Sequence, residues 1–268
     1  MENSYKFHEK KGDKAMAKTR KMKKETIIRR LKKMTDRRDE IIKEGVENYH
    51  VRLMKGNDKT GVNCYTVSLI PIADCPNCSG CAFGGCYDIQ NVCWQPCVQE
   101  QRAINSAIHK VDRDRYWKEI DLQVKALFVN ELRINVGGDL EDEDFPYIFW
   151  LGEQNPSCHF LFFTKNYNGI NDYFSNNLYL INTEYGRESW KNVHPIMSPW
   201  LGMKFNNPYN LPCAHVLWAD GRTTAPDHKA KYCGGNCSEC FYHYKNNNKE
   251  NSGCWGLDNG EHVIFLAH

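Results

Sequence analysis

The sequence predicts an α/β protein: an incomplete (β/α) barrel-like parallel sheet with a basic N-terminal helix and a cysteine-rich C-terminal cluster region. Three observations predict it. Apolar runs rich in β-branched and aromatic residues alternate with helical stretches in the order β, α, β, α, β. Strands separated by helices pair in parallel, so the loops at their carboxyl ends converge on one face. Cysteines gather in two groups, one directly after the first apolar run and one near the C-terminus.

Taken in order, "TRKMKKETIIRRLKKMTDRRDEIIKEG" places Met22, Ile27, Ile28, Leu31, Met34, Ile41 and Ile42 near helical spacing with basic residues between them. It predicts a basic amphipathic helix ending near Gly45. Val62 to Ile72 predicts a strand that stops around Pro71 and feeds the first cysteine loop. Val98 to Ala126 is helical, broken near Asp112, whose carboxylate can cap the second half. "ELRINVGGD" predicts a buried strand ending in a glycine turn, "DEDFPYIFWLGEQ" a helix, and "CHFLFFTKN" and "NLYLINTE" two further strands. Between about 186 and 232 loops are expected, with one strand at "CAHVLWAD". These elements divide the chain into a basic helical segment, 1–48, a barrel-like domain, 49–232, and a C-terminal cysteine region, 233–268.

With 268 residues, 41% of them hydrophobic, the chain can bury a sizeable core. No apolar stretch approaches the roughly 20 residues of a membrane helix, and the N-terminus does not resemble a signal peptide. A cytoplasmic protein without membrane contact is the expectation. Thirteen cysteines in a reducing compartment point to metal or redox chemistry rather than to disulfides. The net charge of +2 conceals an asymmetry: residues 1–48 hold sixteen Lys and Arg against nine Asp and Glu, about +7, leaving about −5 for the rest. The basic helix is therefore docked on the domain, turned towards nucleic acid, or used in targeting or partner binding.

The first cysteine group comprises Cys75, Cys78, Cys81, Cys86, Cys93 and Cys97, more thiols than one tetrahedral zinc takes. The second comprises Cys233, Cys237, Cys240 and Cys254, four sulfurs that suit either a [4Fe–4S] cluster or a structural zinc. The candidate metal ligands are Cys75, Cys78, Cys81 and Cys86 with these four. Cys64, Cys158 and Cys213 lie in apolar contexts and are read as buried packing thiols. Tyr87, directly after Cys86, and the position of the loop behind a strand favour iron in the first group. Lys165 and Asn166 follow an apolar strand and can face the cleft, where a lysine can bind an anion. His109, His194, His215 and His228 show no paired ligand spacing, and no Walker loop or nucleophile elbow is present.

The order of these motifs resembles radical S-adenosylmethionine enzymes, in which three cysteines after the first barrel strand hold a [4Fe–4S] cluster. "VGGD" looks like the "GGE" turn that in those enzymes approaches the methionine amino group, and it nominates Gly137, Gly138 and Asp139 as cofactor-binding residues with Tyr87 and Lys165. The spacing departs from C-x3-C-x2-C: the first group reads C-x2-C-x2-C-x4-C, and the familiar spacing occurs only in the second. "YTVSLIPIADCPNC", "GGCY", "RAIN", "LRINVGGDL", "FLFFTKN" and the terminal "CGGNCSEC", "CW" and "VIFLAH" together resemble the phage gene product 88 family over about residues 60 to 268, with the basic segment outside. That resemblance implies a phage or mobile-element protein and no particular reaction.

Two functions follow as expectations, and a third joins them as an enzyme whose basic arm brings it to a nucleic-acid substrate. One is an iron–sulfur enzyme with one or two [4Fe–4S] clusters and S-adenosylmethionine as small-molecule cofactor, the second cluster supporting the fold or electron flow. The other is a zinc-stabilised, non-enzymatic protein that binds nucleic acid through the basic helix.

Overall fold

The computed structural model of the chain describes residues 23–56, 60–78, 81, 86, 88–89, 93–218, 220–226 and 231–266. Its strands are β1 (Tyr65–Val67), β2 (Glu131–Ile134), β3 (His159–Thr164), β4 (Val193–Met197), β5 (Cys213–Leu217), β6 (Lys231–Tyr232) and β7 (His262–Leu266). All are parallel, in the order β1-β2-β3-β4-β5-β7-β6. The expected α/β architecture with a parallel sheet is present, and the sheet stays open. The helices are α1 (Lys24–Glu44), α2 (Pro96–Val111), α3 (Arg113–Ala126), α4 (Phe145–Gln154), α5 (Tyr167–Asn176), α6 (Tyr179–Asn182), α7 (Glu184–Ser189) and α8 (Cys237–Lys245).

Alternation along the strands assigns the two faces, because successive side chains of a strand point to opposite sides. Leu132, Ile134, Phe160, Phe162, Val193 and Met197 join one core with Ile104, Ile108, Trp117, Ile120, Phe145 and Phe174 of the helices. Leu161 and Ile196 point the other way, into a core with Phe241, Cys254 and Trp255. So α2 to α5 cover one face and the C-terminal cysteine region covers the other. The division at residue 233 falls between β6 and α8, yet β7 returns to pair with both β5 and β6.

The expected break at Asp112 is present: its carboxylate accepts from Arg115 N at 3.0 Å and starts α3. The first strand is shorter than expected, three residues of the run from Val62 to Ile72. Two expectations fail. "NLYLINTE" is not a strand; Tyr179–Asn182 forms α6, and the Thr183 hydroxyl accepts from Gly186 N at 2.9 Å to begin α7. Local side-chain capping outcompetes β propensity there. The sheet position beside β3 belongs instead to "VHPIM", inside the stretch expected to be loop. Pro195 hid this strand, since proline removes a ladder donor. Here the loss costs little: Met197 N, on the same edge of the strand, donates to Pro212 O at 2.9 Å, and β4 and β5 pair only at Met197 and Cys213. Ahead of that point the two strands diverge around a cavity of about 500 Å³ lined in part by Pro195 and Pro212.

Helix α1 is docked on the domain. Ile27 and Met34 pack with Ile70, Ile89 and Cys93, and Ile41 enters the main core. Each such burial contributes roughly 1.5–3 kcal/mol. Arg30 Nη1 donates to Ile89 O at 2.8 Å, Arg37 Nε to Glu100 at 3.2 Å, and Arg38 Nη1 to Asp74 at 3.5 Å. The helix thus straps the segment that carries the first cysteine group, while Arg29, Lys33 and Lys43 face solvent.

Candidate functional site

The first cysteine group lies at the carboxyl edge of the sheet, in the loop after β1. Neighbouring loops are stitched to it: Leu69 N donates to Gly137 O at 2.9 Å, Asp139 N to Asp74 O at 2.9 Å, and Asn77 Nδ2 to Lys165 O and Asn166 Oδ1, both at 3.4 Å. Cys75, Cys78, Cys81 and Cys86 are all half-buried. Ile72 N donates to Cys75 Sγ at 3.3 Å. Burial pushes the Cys75 thiol well up, with the Asp139 charge and the neighbouring Cys86 and Cys81 adding to it. Burial likewise raises Cys81, and Cys86 to about 11, while the Lys165 ammonium pulls both back down. These thiols and Lys165 therefore share one electrostatic neighbourhood. Tyr87 lies outside the described residues.

The later part of the loop hangs on a buried ion pair. Arg102 Nη2 donates to Asp88 Oδ1 at 2.7 Å, and its Nη1 bonds the second carboxylate oxygen. Both side chains are almost wholly buried. Cys93 is buried and donates to the same carboxylate at 3.3 Å, whereas Cys97 is exposed at the start of α2. Asn105 fixes strand β1 by donating to Arg52 O at 3.1 Å and Ser68 O at 3.2 Å. "RAIN" is thereby explained as the clamp of the cysteine loop.

The "GGD" turn is engaged inside the chain. A Cβ on Gly137 would fall within the Arg102 guanidinium and against Asp88, and Gly138, at φ 80°, would meet Leu69. Asp139 accepts from Leu140 N, Thr164 Oγ1 and Lys165 N, each at 2.8 Å, and burial raises its carboxyl pKa. The turn holds three loops together and offers no open cradle for an ammonium.

The second group lies on the face of the sheet opposite α2 to α5, packed with Leu161, Ile196 and Val263. Asn236 caps α8 by accepting from Glu239 N at 3.2 Å, which sets Cys237 and Cys240 one turn apart on one side of the helix. Gly253, at φ 53°, has Cys240 Sγ where its Cβ would be and brings Cys254 in beside it. Cys233 N donates to Ile264 O of β7 at 2.8 Å. Cys233, Cys237 and Cys240 pack against the cluster that contains Cys64 and Cys254. Burial pushes Cys254 well up, and the charges of Cys233, Cys237 and Cys240 push it further. Cys64, Cys158 and Cys213 are buried as expected, but Cys64 also neighbours this group, which its sequence context did not signal.

Sequence reasoning also missed Arg133. Its guanidinium donates to Cys237 Sγ at 3.5 Å and lies 5.1 Å from the Phe163 ring centroid, and its Nε is buried with no hydrogen-bond partner. No ion pair among the described residues includes it. The only signal for it was strand parity, since Arg133 alternates with Leu132 and Ile134. His159 and His194 form another unforeseen pair, Nδ1 to Nε2 at 3.0 Å. Among the described residues, no group of three or more Cys, His, Asp or Glu side chains is placed so that it could hold a metal ion.

An open parallel α/β sheet with one thiol group in the loop after β1 and a second packed on one of its faces is the class these observations define. The chain belongs to the phage gene product 88 family, whose model, described as gene product 88, matches residues 26–191. The match begins inside α1 and stops before β4, so the resemblance read from motifs is corrected at both ends: the basic helix falls within the family region, and the C-terminal cysteines fall beyond the match. No curated protein and no solved structure matches the chain.

Proposed function

We propose that this chain is a metal–thiolate protein, with iron–sulfur clusters as the favoured metal form. The observation that carries the reading is Arg133. A guanidinium held inside a protein without a carboxylate is costly unless an anion compensates it, and its surroundings are Cys237, Cys64 and Cys254. Four thiolates around a metal or cluster would supply that negative charge. Cys233, Cys237, Cys240 and Cys254 fit such a group by number, softness and burial, and they would hold it as [4Fe–4S] or zinc. Cys75, Cys78, Cys81 and Cys86 would hold a second [4Fe–4S] cluster at the edge where a parallel sheet places its chemistry.

The narrower reading is a radical enzyme, in which a cluster in the first loop supplies the electron that cleaves S-adenosylmethionine. It is supported by the loop's place after β1 and by Lys165 beside Cys81 and Cys86. Gly137, Gly138 and Asp139 do not fit the amino-group site suggested for them, because protein atoms already use them. The alternative of a zinc-stabilised nucleic-acid binder draws on the solvent-facing Arg29, Lys33 and Lys43 of α1.

The deciding experiment is metal and acid-labile sulfide analysis, with an absorption spectrum, on protein purified without oxygen. About four or about eight iron and sulfide per chain support one or two clusters. Zinc without sulfide supports the structural alternative, and metal-free protein after anaerobic reconstitution refutes the metal reading. Reconstituted protein that keeps its clusters but neither binds nor cleaves S-adenosylmethionine refutes the radical reading alone.

A further inference from the structure

Beside the first cysteine loop, at the same edge of the sheet, lies a cavity of about 360 Å³ lined by Asn77, Lys165, Tyr167, Asn168, Gly202, Met203 and Lys204. Three segments build it: the loop between Cys75 and Cys78, the β3–α5 junction and the loop after β4. We propose that this cavity is an oxyanion site that receives the phosphate or carboxylate group of a small molecule, independently of any metal.

Four features support it. Lys165 and Lys204 bring two positive charges, and neither takes part in an ion pair among the described residues. Lys165 extends over Trp200, with Nζ 5.3 Å from the ring centroid, which holds the ammonium by a cation–π contact without neutralising it. The first turn of α5 faces the cavity through Tyr167 and Asn168. Asn166 caps that helix by accepting from Gly169 N at 3.1 Å, and Ile170 N donates to Asn166 O at 3.2 Å, so within the first turn the Tyr167 and Asn168 amides, at the positive end of the helix dipole, are the ones that can serve an outside acceptor. Asn77 adds a side-chain amide whose bonds to Lys165 O and Asn166 Oδ1, at 3.4 Å, are long enough to yield to a better acceptor.

The opposing charge is Asp139. It is buried, its oxygens are occupied by Leu140, Thr164 and Lys165 N–H, and it lies outside the lining. Among the described residues the lining therefore carries two cations and no carboxylate.

The test is an amide-resolved NMR titration of the reduced, metal-free full chain at constant ionic strength, with inorganic phosphate, pyrophosphate and malonate as separate probes. A saturable shift confined to Asn77, Tyr167, Asn168 and Gly202–Lys204 is expected. Tighter response to phosphate and pyrophosphate assigns a phosphorylated ligand, and tighter response to malonate a carboxylate. Lys204→Glu, at an exposed position, should weaken binding about tenfold or more, and Lys165→Arg should retain it better than Lys165→Met. The proposal is overturned by no saturable shift with any probe, by shifts located elsewhere, or by equal affinity in Lys204→Glu and the unaltered chain.

Discussion

Arg133 on β2 donates a hydrogen bond to the sulfur of Cys237 on α8, 3.5 Å away, joining the second strand of the sheet to the C-terminal cysteine region. A charged donor to a thiolate contributes roughly 1.5–3 kcal/mol. Arg133→Met should therefore weaken metal binding at the C-terminal thiols by about ten- to a hundredfold, measured by chelator competition in a background lacking the first cysteine group. Arg133→Lys should keep part of it. Unchanged affinity in Arg133→Met would remove the main support for a thiolate centre at this place.

The Asp88–Arg102 pair makes a stability prediction. Removing one partner of a buried ion pair costs about 3–5 kcal/mol, because the other charge stays buried alone. Asp88→Ala should lower the urea midpoint accordingly, and the paired replacement Asp88→Leu with Arg102→Met should recover much of the loss. A single variant within about 1 kcal/mol of the unaltered chain contradicts the clamp.

Gly137→Ala forces a methyl into the space of the Arg102 guanidinium. Overpacking of this kind costs about 1–3 kcal/mol or more. Its particular signature is loss of metal from the first cysteine group with retention at the second, read as metal per chain. Equal retention at both would show that the turn and the loop are not coupled.

His159 and His194 set an acid limit. Burial lowers His159 to about 4 and His194 to about 3, with Lys245 and His159 respectively adding to the effect. The unfolded rings titrate near 6.5. A depressed folded pKa means that unfolding takes up protons, so the stability is present above about pH 6.5 and is lost as pH falls towards 4 and then 3. Chemical unfolding between pH 7 and pH 4 should show a decline of a few kcal/mol, reduced in His194→Phe. A flat profile over that window would contradict the buried neutral pair.

The thiols make the converse prediction. Burial holds Cys86 and Cys240 at about 11, so in the metal-free chain they are protonated at neutral pH. Metal uptake must then release protons, and affinity should fall as pH is lowered from about 8 to 6. Calorimetry in buffers of different ionisation enthalpy measures the release directly, and zero protons released would rule out thiolate ligation.

Local patterns were legible where one residue type dominates a segment. The apolar stripe of α1, the Asp112 cap, the run "HFLFFT" and both cysteine groups can all be read from neighbours along the chain. The strand at Val193–Met197 could not, because Pro195 is acceptable only where the adjacent strand diverges, and that divergence exists only in the assembled sheet. Neither could α6, whose C-terminal end is held by the Thr183 hydroxyl donating to Tyr179 O while the same oxygen caps α7.

What the sequence by itself determined is the alternation that builds a parallel sheet, the grouping of the thiols and the amphipathic character of the basic helix, since these follow from side-chain periodicity and composition. Only the tertiary structure decided which partners these features have. It put Arg102 and Asp88 in the space that Gly137 leaves open, turned α1 onto the first cysteine loop, and set Arg133 among the C-terminal thiols. Those contacts join residues 14 to 104 positions apart, and the burial that makes an unpaired charge costly arises only when the sheet and its two covers close around it.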